Sequence, residues 1–474
     1  MDNSTSSWLI NKFGGISVGC YLLNIPSIVQ NQLNKGYKVA LVCSARSNIP
    51  HKTKAITSRL LKLMSTGENR TNDTITLEAN TIIEEHIEEL KSVINNSTIL
   101  EPALLQIVEE HKRLLFLLEA LQVIGETSHS SLDLIVSIGE RLACIIIVAL
   151  LKQNNISVEY LDLSKKLATE LKDGDYDSVV ENLKLAVNKE VSKDCKVLFI
   201  ILIDHCYNFS FFIGFMGPFP CGLLNTVGRG YSDITASCLS VALKATELIV
   251  WKHIDGIYTA DPSIVKESKI LPFVTIEEAY ELTYYGTEAV HPMAIEIASK
   301  QEITIRICNV NGKDQEIKGT TIGRKKVGNE NEVLGLATAV CVKEEVVVLN
   351  VQSNRKSRSF DFLKKVFKIL NDYQLIADLV STSEVNLSMA LSKPDEERLT
   401  KAVDDLNQVG FVQVLKDLVI ISLIGEMISQ GSSEINISGV ISKASVPQAL
   451  NTIHKQLLLG ETEKLEAKDG RMSF

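Results

Sequence analysis

The most constraining feature of this chain is its opening stretch. Apolar Trp8-Leu9-Ile10 leads into Asn11-Lys12-Phe13-Gly14-Gly15-Ile16-Ser17-Val18-Gly19, followed by a helical pattern over residues 26 to 35, a stop at Gly36 and a second apolar run at residues 38 to 43. Strand, glycine turn, helix and strand in that order form a βαβ unit, so the sheet is expected to be parallel with helices on its faces, an α/β architecture. In open sheets of this kind ligands bind beyond the carboxyl ends of the strands. The first strand ends at the turn carrying Lys12, Gly14, Gly15 and Ser17, and the second runs into Ser44-Ala45-Arg46. Lys12, Ser17 and Ser44 are therefore expected to meet.

A second glycine turn lies far downstream at Gly228-Arg229-Gly230-Tyr231-Ser232-Asp233, ahead of a helical pattern over residues 233 to 245. Glycines on both sides of an arginine allow a tight turn, and a helix start adds a positive dipole end, so this stretch suits phosphate or carboxylate. One such tripeptide is commonly an ordinary turn; two glycine turns in one chain make the stronger case. Between them, Ser137-Ile138-Gly139-Glu140-Arg141 sits among apolar residues 132 to 136 and 142 to 151. Burying either charge alone costs several kcal/mol, so an internal salt bridge and a place in a cleft are the two readings, and neither outweighs the other on the residues alone. Residues 81 to 121 read as two solvated helices, with Pro102 opening the second half. Residues 197 to 203 and 209 to 215 each suit a buried strand, residues 247 to 251 another, and residues 303 to 307 close the first domain after a polar loop at 255 to 262.

A net charge of −9 excludes the basic face that nucleic acid or an anionic membrane requires and favours small-molecule partners. Nine cysteines, scattered and never spaced C-x-x-C, suit reduced thiols, and no metal-ligating cluster is legible. Residues 1 to 7 lack the basic start and apolar core of an export signal, so a cytoplasmic location is expected. The run at 142 to 151 is too short to cross a bilayer, and that at 195 to 217 is broken by Asp204, His205 and Asn208; both are expected to be buried core.

Residues 313 to 334 are charged, contain glycine and lack apolar periodicity, which places a linker there. Beyond it come a strand (346 to 351), a helix (360 to 373), strands (375 to 381 and 386 to 391), a helix (395 to 408) and a strand (411 to 415). This is the βαββαβ order of a ferredoxin-like α+β unit, complete over 346 to 415. The remaining stretch, 417 to 460, has two strands and a helix and is too short to repeat it.

Taken together these motifs resemble the aspartokinases, members of the amino acid kinase family, and the fungal type most closely. Lys12 to Gly19 is similar to the family's K-F-G-G-T-S-V-G, Ser44-Ala45-Arg46 to its second loop and Ser137 to Arg141 to its acidic motif. Gly228 to Asp233 is similar to its G-R-G-Y-S/T-D, Trp251 to Pro262 to its nucleotide loop and Leu282 to Pro292 to its T-Y-Y-G-S/T-E-x-x-H-P. Ser381 to Val385 and Met427 to Gln430 resemble its paired ACT regulatory modules. The resemblance implies an amino acid kinase fold over residues 8 to 312 and an ACT region over 335 to 474. It implies transfer of the ATP γ-phosphate, with Mg2+, to the β-carboxylate of L-aspartate, the opening step towards lysine, threonine and methionine. Lys12 would neutralise the transferring group and Asp233 would orient Lys12. Glu140 and Arg229 would hold aspartate, with Thr57 and Ser44 in support. Gly14, Gly15, Ser17, Ser232, Tyr258 and Asp261 would carry the nucleotide. A homo-oligomer is expected.

The chain also departs from the family pattern. Ile16 stands where the family has Thr, Ile213 replaces another Thr, Ser263 replaces a basic residue, and residues 202 to 211 are extra sequence. A helix and strand are missing near Gly425, which is expected to leave Val419, Ile421 and Leu423 with less to pack against unless residues 335 to 342 complete the sheet, and inhibition by threonine is expected to be weak or absent. Loss of the hydroxyl at position 16 and the charge at 263 supports an alternative, a catalytically impaired relative serving as an amino-acid-binding or regulatory subunit.

Overall fold

The computed structural model describes residues 7–47, 55–64, 72–125, 128–162, 176–190, 195–201, 227, 230–286, 289–312, 319–324, 337–353, 360–383, 386–425 and 435–459. The chain forms two compact units, one of residues 1–256, 272–276 and 289–324, the other of residues 257–271, 277–288 and 325–474.

In chain order the first unit contains β1 (Trp8–Phe13), α1 (Gly15–Cys20), α2 (Ile25–Asn34), β2 (Lys38–Cys43), α3 (Ile56–Met64), α4 (Asn72–Val93), α5 (Ser97–Ile124), α6 (His129–Gln153), β3 (Glu159–Asp162), α7 (Tyr176–Glu190), β4 (Val197–Ile201), α8 (Tyr231–Ala242), β5 (Glu247–Lys252) and β6 (Phe273–Thr275). Helix α9 (Ile276–Tyr285) belongs almost wholly to the second unit, and α10 (Pro292–Lys300), β7 (Thr304–Asn309) and β8 (Gly319–Gly323) return to the first. The eight strands lie in the order β3-β4-β2-β1-β5-β7-β8-β6. All pairings are parallel except β7 with β8, as the opening βαβ unit requires. Central β1 is buried from Leu9 onward, and Lys12 near its carboxyl end lies between Val42 and Val250.

Three expectations for this unit need correction. The helical break falls at residues 94 to 96, where Asn96 caps α5 by accepting from the Thr98 amide at 3.0 Å; Pro102 lies inside α5. That proline removes one bond, to the Thr98 carbonyl, but Ile99, Leu100, Ala103, Leu104 and Ile107 keep one face packed across it, so burial outweighs the lost bond. The same packing joins the hairpin to the core through Ile82, Leu90, Leu114 and Leu118. Residues 142 to 151 are buried core as expected but are not a short run: they belong to the 25-residue α6, whose stretch Ser131–Gln153 is long and apolar enough to span a membrane, with 83% of its most apolar window buried inside the protein. Within the expected linker, residues 319 to 323 form β8, because a Cβ at Gly319 would stand 2.0 Å from the Ile307 carbonyl and only glycine lets the strands approach. The second strand expected at 209 to 215 lies outside the described residues.

The second unit adds β9 (Ala339–Ser353), α11 (Phe360–Asp372), β10 (Leu379–Thr382), β11 (Asn386–Ser392), α12 (Glu396–Val409), β12 (Gly410–Ile424), β13 (Asn436–Ser442) and α13 (Val446–Ile453). The sheet runs β10-β11-β9-β12-β13, antiparallel throughout. Its first half is the ferredoxin-like unit, with Leu349, Val351, Leu387 and Met389 packed beneath Val366, Leu370, Leu399 and Leu406 of α11 and α12. The strands expected at 411 to 415 and 418 to 424 are one strand, kinked where Asp417 takes a φ of 60° and the register shifts.

The second half is closed, by the second of the two arrangements expected of it. Residues 339 to 343 pair with 420 to 424, so the borrowed stretch completes the sheet. Val419 and Ile421 are buried with Val340, with Val446, Leu450 and Leu458 from α13 and its continuation, and with Ala260 and Val265. Segment 257–271 thus supplies cover that the missing helix does not: Thr259 accepts from the Val340 amide at 2.8 Å and its hydroxyl meets His454 Nε2 at 2.9 Å.

Candidate active site

The site grows from three chain segments that end at the carboxyl edge of the first sheet. β1 delivers Lys12, the turn after β2 delivers Ser44, and the start of α8 delivers Ser232 and Asp233. Lys12 Nζ lies 2.7 Å from Asp233 Oδ1, and each side chain is only 6% exposed. Ser44 Oγ and Ser232 Oγ are 2.9 Å apart. Gly230, with a φ of 101°, is the left-handed residue that turns the chain into α8, a conformation that disfavours any side chain. Asp233 Oδ2 accepts the His291 amide at 3.2 Å. The His291 ring is fixed in turn: Nδ1 accepts from the Met293 amide at 3.2 Å, so the proton sits on Nε2, which donates to the Val227 carbonyl at 3.3 Å.

Glu140 reaches the same place from α6. It is buried and bonded to the Tyr231 hydroxyl, with Lys12 as its nearest positive influence. Burial pushes its carboxyl up to about 8, and Tyr231 and Lys12 offset this only in part. Asp233 goes the other way: burial alone would raise it, but Lys12, Lys252 and the His291 amide hold it below the usual carboxylate range. Two buried carboxylates beside one lysine are thus set apart by their partners. The adjacent Arg141 points elsewhere and meets Glu110 of α5 at 2.6 Å, both buried. The acidic motif therefore divides, one charge facing the site and the other making the internal salt bridge.

The glycine turn is pinned from two sides. The Trp251 carbonyl accepts the Gly14 amide at 3.2 Å and the Ser17 hydroxyl at 2.8 Å, while the Gly15 carbonyl accepts the Ser47 amide at 2.9 Å. A Cβ at Gly15 would lie 2.6 Å from the Ala45 carbonyl, so the turn can rest on segment 44 to 47 only as glycine. Behind it, Asn11 and Gln32 exchange amide bonds at 2.7 and 2.9 Å, and the Trp251 indole donates to Asn11 Oδ1 at 2.7 Å. Its ring stacks on Phe13 at 6.0 Å.

Lys12, Asp233, Glu140, Ser44, Ser232, Gly14, Gly15 and Ser17 therefore lie in one unit around one strand edge. Thr57, half-buried, is the second residue of α3, next to Ile56, which packs where Gly139 leaves room on α6. Arg229 lies outside the described residues. Tyr258 and Asp261 fall in the second unit, where Tyr258 bridges to Ile270 and Asp261 Oδ1 accepts the amide and hydroxyl of Ser263 at 2.8 and 2.7 Å. The sequence alone assigns no role to Tyr231, His291, Trp251 or Asn11. Tyr231 and His291 lie inside recognised motifs, but only the fold shows that they buttress the two carboxylates. Among the described residues no three His, Cys, Asp or Glu side chains converge as a metal cluster would.

Known proteins match along nearly the whole chain. Residues 7–309 match the amino acid kinase family and residues 425–457 an ACT domain. An aspartokinase of Candida albicans is 36% identical over 96% of this chain and 91% of its own length, and one of Saccharomyces cerevisiae is 36% identical over 97% and 94%. In structure, E. coli aspartokinase III in complex with lysine and aspartate superposes with a TM-score of 0.73 at 22% identity, covering 95% of this chain and all of that one. The same enzyme with aspartate and ADP gives 0.72 at 22% identity, covering 94% and 99%. With a family match over residues 7–309 and fungal aspartokinases 36% identical along nearly its full length, the chain belongs to the aspartokinase family.

Proposed function

We propose that this aspartate kinase carries out phosphoryl transfer from ATP to the β-carboxylate of L-aspartate at the Lys12–Asp233 edge. The observation that carries the reading is the buried ion pair itself, at 2.7 Å beside a glycine turn. Phosphoryl transfer requires positioning and a fixed positive charge more than covalent chemistry. Lys12, held by Asp233 and unable to swing into water, supplies that charge to the transferring group as it passes from the departing β-phosphate oxygen of ADP to the attacking carboxylate oxygen. Preorganised charge in a dry site needs no rearrangement at the moment of reaction.

Glu140 suits the substrate's ammonium. An incoming cation favours its ionised form, so aspartate binding releases a proton below pH 8. Arg229 is proposed for the substrate α-carboxylate, with Ser44 and Thr57 beside it. Ser232 and the glycine turn are proposed for the phosphates, and Tyr258 and Asp261 for the rest of the nucleotide. Mg2+ ordinarily takes one or two carboxylates together with substrate phosphates and waters. Among the described residues no cluster of carboxylates stands ready for a metal, which fits an ion that would be held mainly by the nucleotide and would neutralise its phosphates. A homo-oligomer, a cytoplasmic location and threonine as the amino-acid effector of the ACT region complete the proposal. The closed second half of that sheet removes the reason for expecting weak inhibition.

The test is ATP consumption with aspartate, with glutamate and with no acceptor. Turnover with aspartate alone supports the reading; equal turnover in all three, or none from folded protein, goes against it and favours the impaired relative for which Ile16 and Ser263 speak.

A further inference from the structure

Segment 257–271 folds back on itself, and Thr259 is the residue that fixes it. Tyr258 bridges to Ile270, the Leu271 amide donates to the Ile257 carbonyl at 2.8 Å, and the Thr259 amide donates to the Lys269 carbonyl at 2.8 Å. The Thr259 carbonyl accepts the Val340 amide at 2.8 Å, and its hydroxyl oxygen accepts the Lys269 amide at 2.9 Å. The hydroxyl proton is left to donate. His454 Nε2, 2.9 Å away, receives it, so the ring proton sits on Nδ1. All of these groups belong to the second unit.

His454 is fully buried in the π-helical turn His454–Leu458 that continues α13, and its Nδ1 has no partner among the described residues. A leucine here, like Leu450 and Leu458 four residues to either side, would bury no orphaned polar atom. Packing alone therefore does not account for an imidazole; the bond to Thr259 does. Burial, with Lys269 assisting and Glu267 opposing, holds the ring below the usual histidine range and so keeps Nε2 free to accept. Widened turns of this kind recur in helices at functional sites. Thr259 lies between Tyr258 and Asp261, and with its amide, carbonyl and side chain all engaged it sets the direction in which both leave the backbone. We propose that His454, acting through the Thr259 hydroxyl, is a positioning residue for the nucleotide; this rests on the assignment of Tyr258 and Asp261 to ATP.

The experiment is calorimetric titration of the full chain with MgADP, a readout independent of turnover, beside steady-state KM values for ATP and aspartate and circular dichroism to show that each variant is folded. His454→Leu keeps the packing and loses the acceptor, and is expected to weaken MgADP about fivefold, as the loss of one hydrogen bond does. Thr259→Val, which also loses the bond from Lys269, is expected to weaken it about tenfold. The ATP KM should rise alike, with the aspartate KM within about twofold of the parent, since the residues proposed for aspartate belong to the first unit. The double variant is expected to be no weaker than Thr259→Val alone, because the bond that His454→Leu removes is already gone. His454→Gln, which offers an amide oxygen in place of Nε2, and Thr259→Ser are expected to stay within about twofold of the parent. Tyr258→Ala tests the underlying assignment by itself: an unchanged MgADP affinity would overturn that assignment and the proposal with it. If Tyr258→Ala does weaken MgADP, then unchanged affinity in His454→Leu and Thr259→Val, additive losses in the double variant, or an aspartate KM that rises as far as the ATP KM would overturn the positioning role alone.

Discussion

At the scale of residues, two buried carboxylates share a lysine but not a protonation state. Lys12→Ala removes the fixed charge and is expected to lower kcat by roughly 10²–10³ with a smaller change in the aspartate KM. It also strands Asp233 in the core, at a cost of about 3–5 kcal/mol, so Lys12→Arg, which keeps the charge but displaces it, separates misplacement from unfolding. Steady-state kinetics beside a thermal melt checks both. Glu140→Gln keeps the acceptor for Tyr231 and loses the charge. Because burial raises the Glu140 carboxyl to about 8, the folded protein retains a proton that the unfolded chain gives up from about pH 4.5. The folded state therefore loses stability as pH rises through that window. The Gln variant should melt level with the parent near pH 4 and higher at pH 8, by a few kcal/mol, while its aspartate KM rises at least tenfold. A variant that melts lower at pH 8 would mean that Glu140 stabilises the fold as an ion. Lys12, Gly14, Gly15 and Asp233 were legible in the sequence because turn chemistry and charge are local. Tyr231 and His291 were not assigned roles, since each acts through a carboxylate that only the fold brings near.

At the scale of elements, the amide network behind β1 positions the glycine turn. Asn11, Gln32 and Trp251 satisfy one another in an otherwise apolar core, and the Trp251 carbonyl is the anchor of Gly14 and Ser17. Trp251→Phe keeps the stacking on Phe13 but removes one donor. It should cost about 1 kcal/mol in stability and raise the ATP KM several-fold while leaving the aspartate KM nearly unchanged. Equal effects on both substrates would show a general loosening instead. The same scale explains what sequence reading missed. Periodicity locates α4 and α5, but proline is a weak boundary where an apolar face continues: Pro102 sits within α5 because that face runs unbroken past it. β8 carries no sequence signal because five residues bounded by two glycines have no period, and its place is set by the close approach of Gly319 to β7.

At the scale of the whole molecule, the order of elements was legible and the division into units was not. The βαβ opening implied the parallel sheet and the βαββαβ order the first half of the C-terminal one. Segment 257–271, which carries part of the kinase motifs, belongs to the second unit, where Ala260 and Val265 enter the core of its second half. With that half closed, threonine is expected to inhibit saturably and to raise the melting temperature, as any ligand of the folded state does. A flat titration would remove threonine as the effector. The central claim, that the buried Lys12–Asp233 edge phosphorylates aspartate, is tested most directly by trapping the product: the full chain is incubated with MgATP, L-aspartate and hydroxylamine, and aspartyl hydroxamate is measured. Hydroxamate is expected to depend on both aspartate and ATP and to fall at least a hundredfold in folded Lys12→Arg; no hydroxamate from the folded parent, or an undiminished yield from the variant, would contradict the claim.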